Sequence, residues 1–281
     1  MRKVFEIIGL LSLACFSFFI TEKTTLVFEN VDNIMVQIKE NSFKFNVDKV
    51  EGIINDDTII PGINGRYVNI KKSYKRMKKY GFYNESLYVY DYIKPNISLS
   101  NNNDKYIVSG NKTKRNVSLI FIVNQDINDI VNILNVNGVK ANFFVNSSWF
   151  EENNDLVLNL IKEGHIIGNL GNNYNYSDSS FGWMDTIIKS LSSQKQGYCY
   201  YTNNRENDSY CINYKNYIIK PIIINNNPLY EVKNNLCSGI MLSFNIDNKV
   251  INELDSIIKF IKSKGYNIVN IETLLSENNL K

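Results

Sequence analysis

Apolar and polar positions alternate in blocks along the C-terminal part of this chain. Val117 to Val123 is an almost unbroken apolar run, suited to a strand buried on both faces. Ile127, Ile130, Val131 and Leu134 then fall on one helical face, which Gly138 ends. Val139 to Val145 predicts a second buried strand, bounded by Gly138 and the polar Asn146-Ser147-Ser148. Next comes a helix with Asn153 as its expected cap and Asp155 in its first turn, where the dipole favours an anion. Leu156, Val157, Leu160 and Ile161 form its apolar face, Lys162 its last turn and Gly164 its stop. His165 to Gly168 opens another buried segment, and Phe181, Met184, Ile187, Ile188 and Leu191 predict a further helix. Gly197 to Tyr201 and Tyr217 to Ile224 read as strands around a short helix at Ser209 to Tyr214. A strand at Ile240 to Phe244 follows, then a helix lined by Val250, Leu254, Ile257, Ile258 and Ile261, then a last strand at Tyr266 to Ile271. Strand alternating with helix implies parallel strands joined by helical crossovers.

The N-terminal third is patterned differently. Arg2 and Lys3 precede an apolar run from Ile7 to Ile20, without a small-x-small cleavage site. This predicts an uncleaved signal anchor over residues 1–22, basic end inside and the remainder exported. Residues 23–115 predict a small α/β domain or stalk. Its expected strands are Leu26 to Phe28, Ile34 to Ile38, Ser42 to Val47, Tyr88 to Ile93 and Tyr106 to Val108, with a turn cluster at Pro61 to Gly65. Ile70 to Lys79 predicts a helix in which Lys71, Lys72, Lys75, Arg76, Lys78 and Lys79 surround Tyr74 and Met77. Two readings stand for it: a solvated face, or contact with anionic wall polymer or lipid headgroups.

Composition narrows the function. The 281 residues are 44% hydrophobic and 21% charged, enough for one sizeable core plus a small extra domain. A net charge of +3 is too weak to point to nucleic acid, and no such partner is expected. Four cysteines without a C-x-x-C pair argue against a zinc ribbon or redox motif. For Cys199 and Cys211 a disulfide and free thiols both remain open.

The stretch from Gly138 to Asn169 carries a resemblance. It reads Gly-Val-Lys-Ala-Asn-Phe-Phe-Val, then Trp149, Glu151, Glu152 and Asn153, then Lys-Glu-Gly-His-Ile-Ile-Gly-Asn. This resembles the core of the polysaccharide deacetylases, the NodB-homology domain of carbohydrate esterase family four, where the pattern is roughly G-V-K-A-T-F-F-V, W-L-E-E-N-P and K-E-G-H-E-I-G-N-H. The ending resembles the family too, in Ser238 to Phe244 and in Lys264-Gly265-Tyr266-Asn267-Ile268-Val269. The resemblance implies an α/β fold, a distorted and incomplete (β/α) barrel over residues 116–281.

It also implies which residues should do chemistry, and those are missing. In the family a divalent metal such as zinc, held by one Asp and two His, polarises the acetamide and activates water. A neighbouring Asp is the base and a late His the acid. At the base and metal-Asp positions stand Ile122 and Val123; at the two His positions stand Leu170 and Tyr174; at the late His position stands Ser243. Val and Leu offer a metal no lone pair. Without a metal, bound water keeps a pKa near 15.7 instead of about 7. The expectation is a degenerate, inactive deacetylase with no metal cofactor and no catalytic residues. The alternative is an active metal-dependent hydrolase of non-peptide carbon–nitrogen bonds with a rebuilt site. The only histidine, His165, is expected to be structural. Tyr176, Trp183, Tyr198 and Tyr200 are the expected ligand-contact aromatics of a cleft for cell-wall glycan or peptidoglycan. The expected location is outside the membrane, anchored or secreted.

Overall fold

The structure is a computed structural model that describes residues 11–13, 16–18, 32–191 and 196–278. The described residues fall in two compact units, Met1–Lys49 with Gly65–Ile93, and Val50–Asn64 with Lys94–Lys281. The expected anchor, like the expected strand at Leu26 to Phe28, lies largely or wholly outside the described residues. Among the described residues no helix is long and apolar enough to cross a membrane.

In the first unit, residues expected as a strand at Ile34 to Ile38 form the helix Asn33–Asn41. Five residues, of which only Gln37 is polar, do not distinguish the two periods. The cap decides, because the Asp32 carboxylate accepts from the Ile34 N–H at 2.9 Å. Ser42–Phe45 is a 3-10 turn, not a strand. The helix Ile70–Tyr80 forms as expected, capped by Asn69, whose side-chain oxygen accepts from the Lys72 N–H at 2.8 Å. It buries Ser73, Tyr74 and Met77 in a cluster with Ile34, Met35 and Ile38, so its six cations point outward.

The second unit is built on one curled sheet. Its order is Ile53–Asn55, Thr58–Ile60, Tyr106–Ile107, Tyr217–Ile219, Tyr198–Tyr200, Ile166–Asn169, Asn142–Val145, Asn116–Ile122, Met241–Asn245, Ile222–Ile224. Asn267–Ile268 pairs alongside Asn116–Ile122. All pairs are parallel except the first. The boundary expected at residue 115 is therefore displaced. The hairpin Ile53 to Ile60 and the strand Tyr106–Ile107 complete the barrel sheet, because Thr58 and Ile59 pair with Tyr106 and Ile107. The expected strand Tyr217 to Ile224 is two strands, separated at Lys220-Pro221, where proline has no N–H for the ladder.

The two-residue period sorts each strand between two cores. Leu119, Phe121, Phe143 and Val145 pack outward against the helices, with Ile130, Leu134, Val250, Leu254 and Ile258. Ile120, Ile122, Phe144 and Met241 pack inward. At Gly168 a Cβ would lie 2.5 Å from the Phe144 ring, so only glycine lets that ring cover the neighbouring strand. The last strand, expected over Tyr266 to Ile271, is only Asn267–Ile268, and the helix Ile271–Leu275 follows it. Ile271, Leu274 and Leu275 join the inner core and close the barrel near the strand starts. Asn142 ties this helix down. Its side-chain Oδ1 accepts from the Ile271 N–H at 2.7 Å, while its side-chain Nδ2 donates to Ser118 Oγ and Leu119 O at 2.8 and 2.7 Å. Asn153 does not cap the helix after it; its amide donates to Trp149 O at 2.9 Å and finishes the short helix before it.

Candidate functional site at the barrel mouth

The C-terminal strand ends bring together most of the residues expected at the family's catalytic and metal positions. Ile122 and Leu170 are buried in the inner core beside Phe144 and Tyr200. Ser243 lies mid-strand and fully inside, and the Tyr200 hydroxyl donates to its Oγ at 3.0 Å. Burial pushes the Tyr200 hydroxyl up, against the pull of Ser243. Val123, one residue past the strand end, is placed apart from Ile122. Its N–H donates to Phe144 O at 2.9 Å and its side chain belongs to the outer core. It does not share the inner face with Ile122, because successive residues point to opposite sides of a sheet.

Leu170 to Tyr176 forms a tight loop. Asn169 builds it from below: its amide donates to Phe181 O at 2.9 Å and its carbonyl oxygen accepts from the Gly171 N–H at 2.8 Å. Asn173 and Tyr174 have φ of 48° and 66°, a left-handed conformation that costs a tyrosine about 1–2 kcal/mol. The loop is held there by Asn207, whose amide donates to Tyr174 O at 2.7 Å and whose oxygen accepts from the Tyr176 N–H at 3.2 Å. The Tyr174 ring meets Tyr200 at 5.9 Å, and Tyr200 meets Phe144 at 5.7 Å, both edge to face. Tyr174 is 39% exposed and lies at the outer end of this stack. Burial, with Tyr200 adding to it, pushes its hydroxyl up to about 12, so it is neutral at ordinary pH.

The remaining aromatics expected to face a ligand are placed elsewhere. Tyr176 is buried, stacked on Phe181 at 4.6 Å, with its hydroxyl donating to Tyr200 O at 3.1 Å. It shares a cluster with Cys199 and Cys211, which are joined in a disulfide. Trp183 packs edge-on against Phe150 in the helix layer, on the outer side of the sheet. Tyr198 starts its strand, beside Tyr217, towards the closed end of the barrel. Tyr200 is buried in the plug just described. Sequence reasoning grouped these by proximity along the chain. The two-residue period and the sheet order separate them.

His165 is buried at the closed end. Its Nδ1 accepts from the Ala141 N–H at 3.1 Å, joining two strands, and burial holds its pKa down to about 4. Asn142 and Asn207 were not singled out from the sequence. Asn142 stands where the family pattern has Thr, and that substitution was the available signal.

The donor set does not fit a divalent metal. Ile122, Val123 and Leu170 carry no lone pairs, the Ser243 hydroxyl is engaged by Tyr200, and the Tyr174 hydroxyl is neutral. Among the described residues no group of three or more His, Cys, Asp or Glu is arranged to hold a metal ion.

A curled half-barrel sheet wrapped by helices, with this mouth, is the α/β fold of the carbohydrate esterase family four deacetylases. Residues 110–209 match the polysaccharide deacetylase family model, and the chain carries a polysaccharide deacetylase domain. Over 124 residues, 43% of this chain, it is 38% identical to the uncharacterized protein YlxY of Bacillus subtilis (strain 168), and the match spans 38% of that protein's length. In structure it is similar to BA3943 of Bacillus anthracis, a family-four pseudoenzyme: TM-score 0.65, 20% identity, covering 89% of this chain and 97% of that one. A BA3943 mutant with restored enzymatic activity matches at TM-score 0.66, with 20% identity, 89% of this chain and 100% of that one. The Bc1960 peptidoglycan N-acetylglucosamine deacetylase matches over 62% of this chain and 95% of its own, at TM-score 0.53 and 19% identity.

Proposed function

We propose that this protein is a catalytically silent polysaccharide deacetylase homologue that acts outside the cytoplasm as a binding or scaffolding protein on cell-wall glycan. One observation carries the proposal. The inner face of the mouth is filled by Ile122, Leu170 and Phe144, and Tyr200 hydrogen-bonds Ser243, the residue expected at the family's proton-donor position. A plugged, apolar floor neither binds a metal nor activates water. The fold is retained around it, which suits a role in binding. The Cys199–Cys211 disulfide supports an oxidising compartment. At the mouth itself, the exposed Tyr174 ring is the surface left for a sugar to stack on.

Metal analysis of the purified protein, together with acetate release from acetylated chitooligosaccharide and peptidoglycan, tests the loss of catalysis. The expected result is no stoichiometric metal and no turnover. Stoichiometric zinc with turnover establishes instead an active carbon–nitrogen hydrolase with a rebuilt site. Retention on peptidoglycan and chitin, compared with that of Tyr174→Ala, tests the binding role at the mouth. Equal retention of both removes the mouth from it.

A further inference from the structure

At the other end of the barrel lies a second cavity, unrelated to the family's reaction centre. It has a volume of about 600 Å³ and is bordered by the starts of two strands, the closing helix and the segment after Lys94. Tyr198 and Tyr217, at the first positions of Tyr198–Tyr200 and Tyr217–Ile219, put two rings 6.4 Å apart in its wall. Glu272 of the helix Ile271–Leu275 lies close enough to raise the Tyr198 hydroxyl's pKa further, beyond the rise that burial causes. Glu277 also lines the cavity but is already used: its carboxylate accepts from the Leu99 N–H at 3.0 Å.

The wall contains polar groups with nothing to bond to. Tyr198 is 3% exposed, and its hydroxyl makes no hydrogen bond among the described residues. The partly exposed Tyr217 hydroxyl and Glu272 carboxylate have no partner among the described residues. Asn64, in the same wall, spends its amide on Asn278 Oδ1 at 3.0 Å, while its own side-chain oxygen is buried without a donor. Buried polar atoms are paired in the great majority of proteins, so the buried Asn64 oxygen needs a cause, while the Tyr198, Tyr217 and Glu272 oxygens border the cavity and are available to a ligand there. The set combines acceptors, a carboxylate and an amide oxygen, with two phenol hydroxyls that accept or donate, and Lys94 adds a cation at the same wall. Its complement is a small molecule rich in O–H or N–H donors, with a flat C–H face to lie against the tyrosine rings. A pyranose ring has both properties, and the volume falls within the range of small-molecule sites, about 300–1,000 Å³.

We propose that this cavity is a monosaccharide-sized sugar site, with Glu272 and the Tyr198 and Tyr217 hydroxyls accepting from ring hydroxyls and the Tyr217 ring stacking on the sugar face. It is separate from the barrel mouth and does not depend on whether the mouth binds glycan. Three sugars distinguish what it selects. Glucose has hydroxyls only, glucosamine adds an ammonium that the free Glu272 carboxylate favours, and N-acetylglucosamine replaces that charge by an amide.

Each sugar is titrated into the full chain by isothermal calorimetry and by chemical-shift mapping, for wild type, Glu272→Gln, Tyr217→Phe and Tyr174→Ala. The expected result is saturable binding of at least one sugar, with shifts at Tyr198 and Tyr217. Glu272→Gln weakens it tenfold or more, Tyr217→Phe weakens it less, and Tyr174→Ala leaves it unchanged. Glu272 is partly exposed, so its substitution leaves the fold intact, checked by an unchanged melting temperature. Absence of saturable binding by all three sugars to the wild type overturns the proposal. So does binding that Glu272→Gln leaves unchanged. Binding that only Tyr174→Ala abolishes also overturns it, and assigns the sugar to the mouth instead.

Discussion

The Tyr200 hydroxyl donates to Ser243 Oγ at 3.0 Å, across the barrel interior and away from solvent. The two strands that carry these residues are not neighbours in the sheet. The bond therefore crosses the barrel and closes its mouth from within. Removing one partner leaves the other buried and unpaired, which costs more than removing both. Tyr200→Phe and Ser243→Ala are each expected to cost about 1–2 kcal/mol in urea unfolding. The double variant is expected to cost clearly less than their sum.

Val123 and Tyr174, both expected from the resemblance at metal-ligand positions, have different surroundings. Val123→Asp puts a carboxylate into the outer core and is expected to destabilise the protein by more than about 3 kcal/mol, or to prevent folding. Tyr174→His changes a half-open loop side chain and is expected to cost no more than about 1 kcal/mol. Chemical denaturation of both variants checks the contrast. A Val123→Asp protein as stable as wild type shows that this side chain can turn inward.

Asn142 joins two strands and the closing helix through three buried hydrogen bonds. Asn142→Ala leaves the Ile271 N–H and Leu119 carbonyl without this partner. The expected loss is roughly 3 kcal/mol. Hydrogen exchange is expected to quicken most over Ile271–Leu275, since that helix loses its anchor.

His165 links stability to pH. Its folded pKa is about 4, below the ordinary value of 6.5. Between those values the unfolded chain binds a proton that the native protein does not, so stability falls as pH falls from 6.5 towards 4. Below the folded pKa the difference no longer grows. The full effect is on the order of 3 kcal/mol. Unfolding curves from pH 7 to 4 are expected to show this slope, and His165→Gln to flatten it.

The Cys199–Cys211 disulfide closes a short loop, 12 residues apart in sequence, inside a buried aromatic cluster. Replacing both cysteines by alanine is expected to lower stability by about 2–3 kcal/mol. Thermal melts with and without reductant are expected to differ for wild type and to coincide for the double variant.

The sequence alone determined most of the barrel-forming strands and helices from Val117 onward, because their apolar periods are long and several stop at glycines, but not the break at Lys220-Pro221 or the helices Pro228–Asn235 and Ile271–Leu275. It also raised the expectation that the metal and base residues are missing, since Val and Leu have no lone pair in any conformation. It did not determine whether Ile34 to Ile38 is helix or strand, because a short apolar run satisfies both periods and the Asp32 cap decides. It did not reveal that Ile53 to Ile60 belongs to the barrel, because a strand's partner is set by pairing across some 50 residues and not by its own pattern. Tyr176, Trp183, Tyr198 and Tyr200 are near one another in the chain, yet the fold sends them to a buried cluster, the helix layer, the closed end and the mouth. Which side a side chain faces is fixed by strand register and sheet order, and both are properties of the assembled sheet.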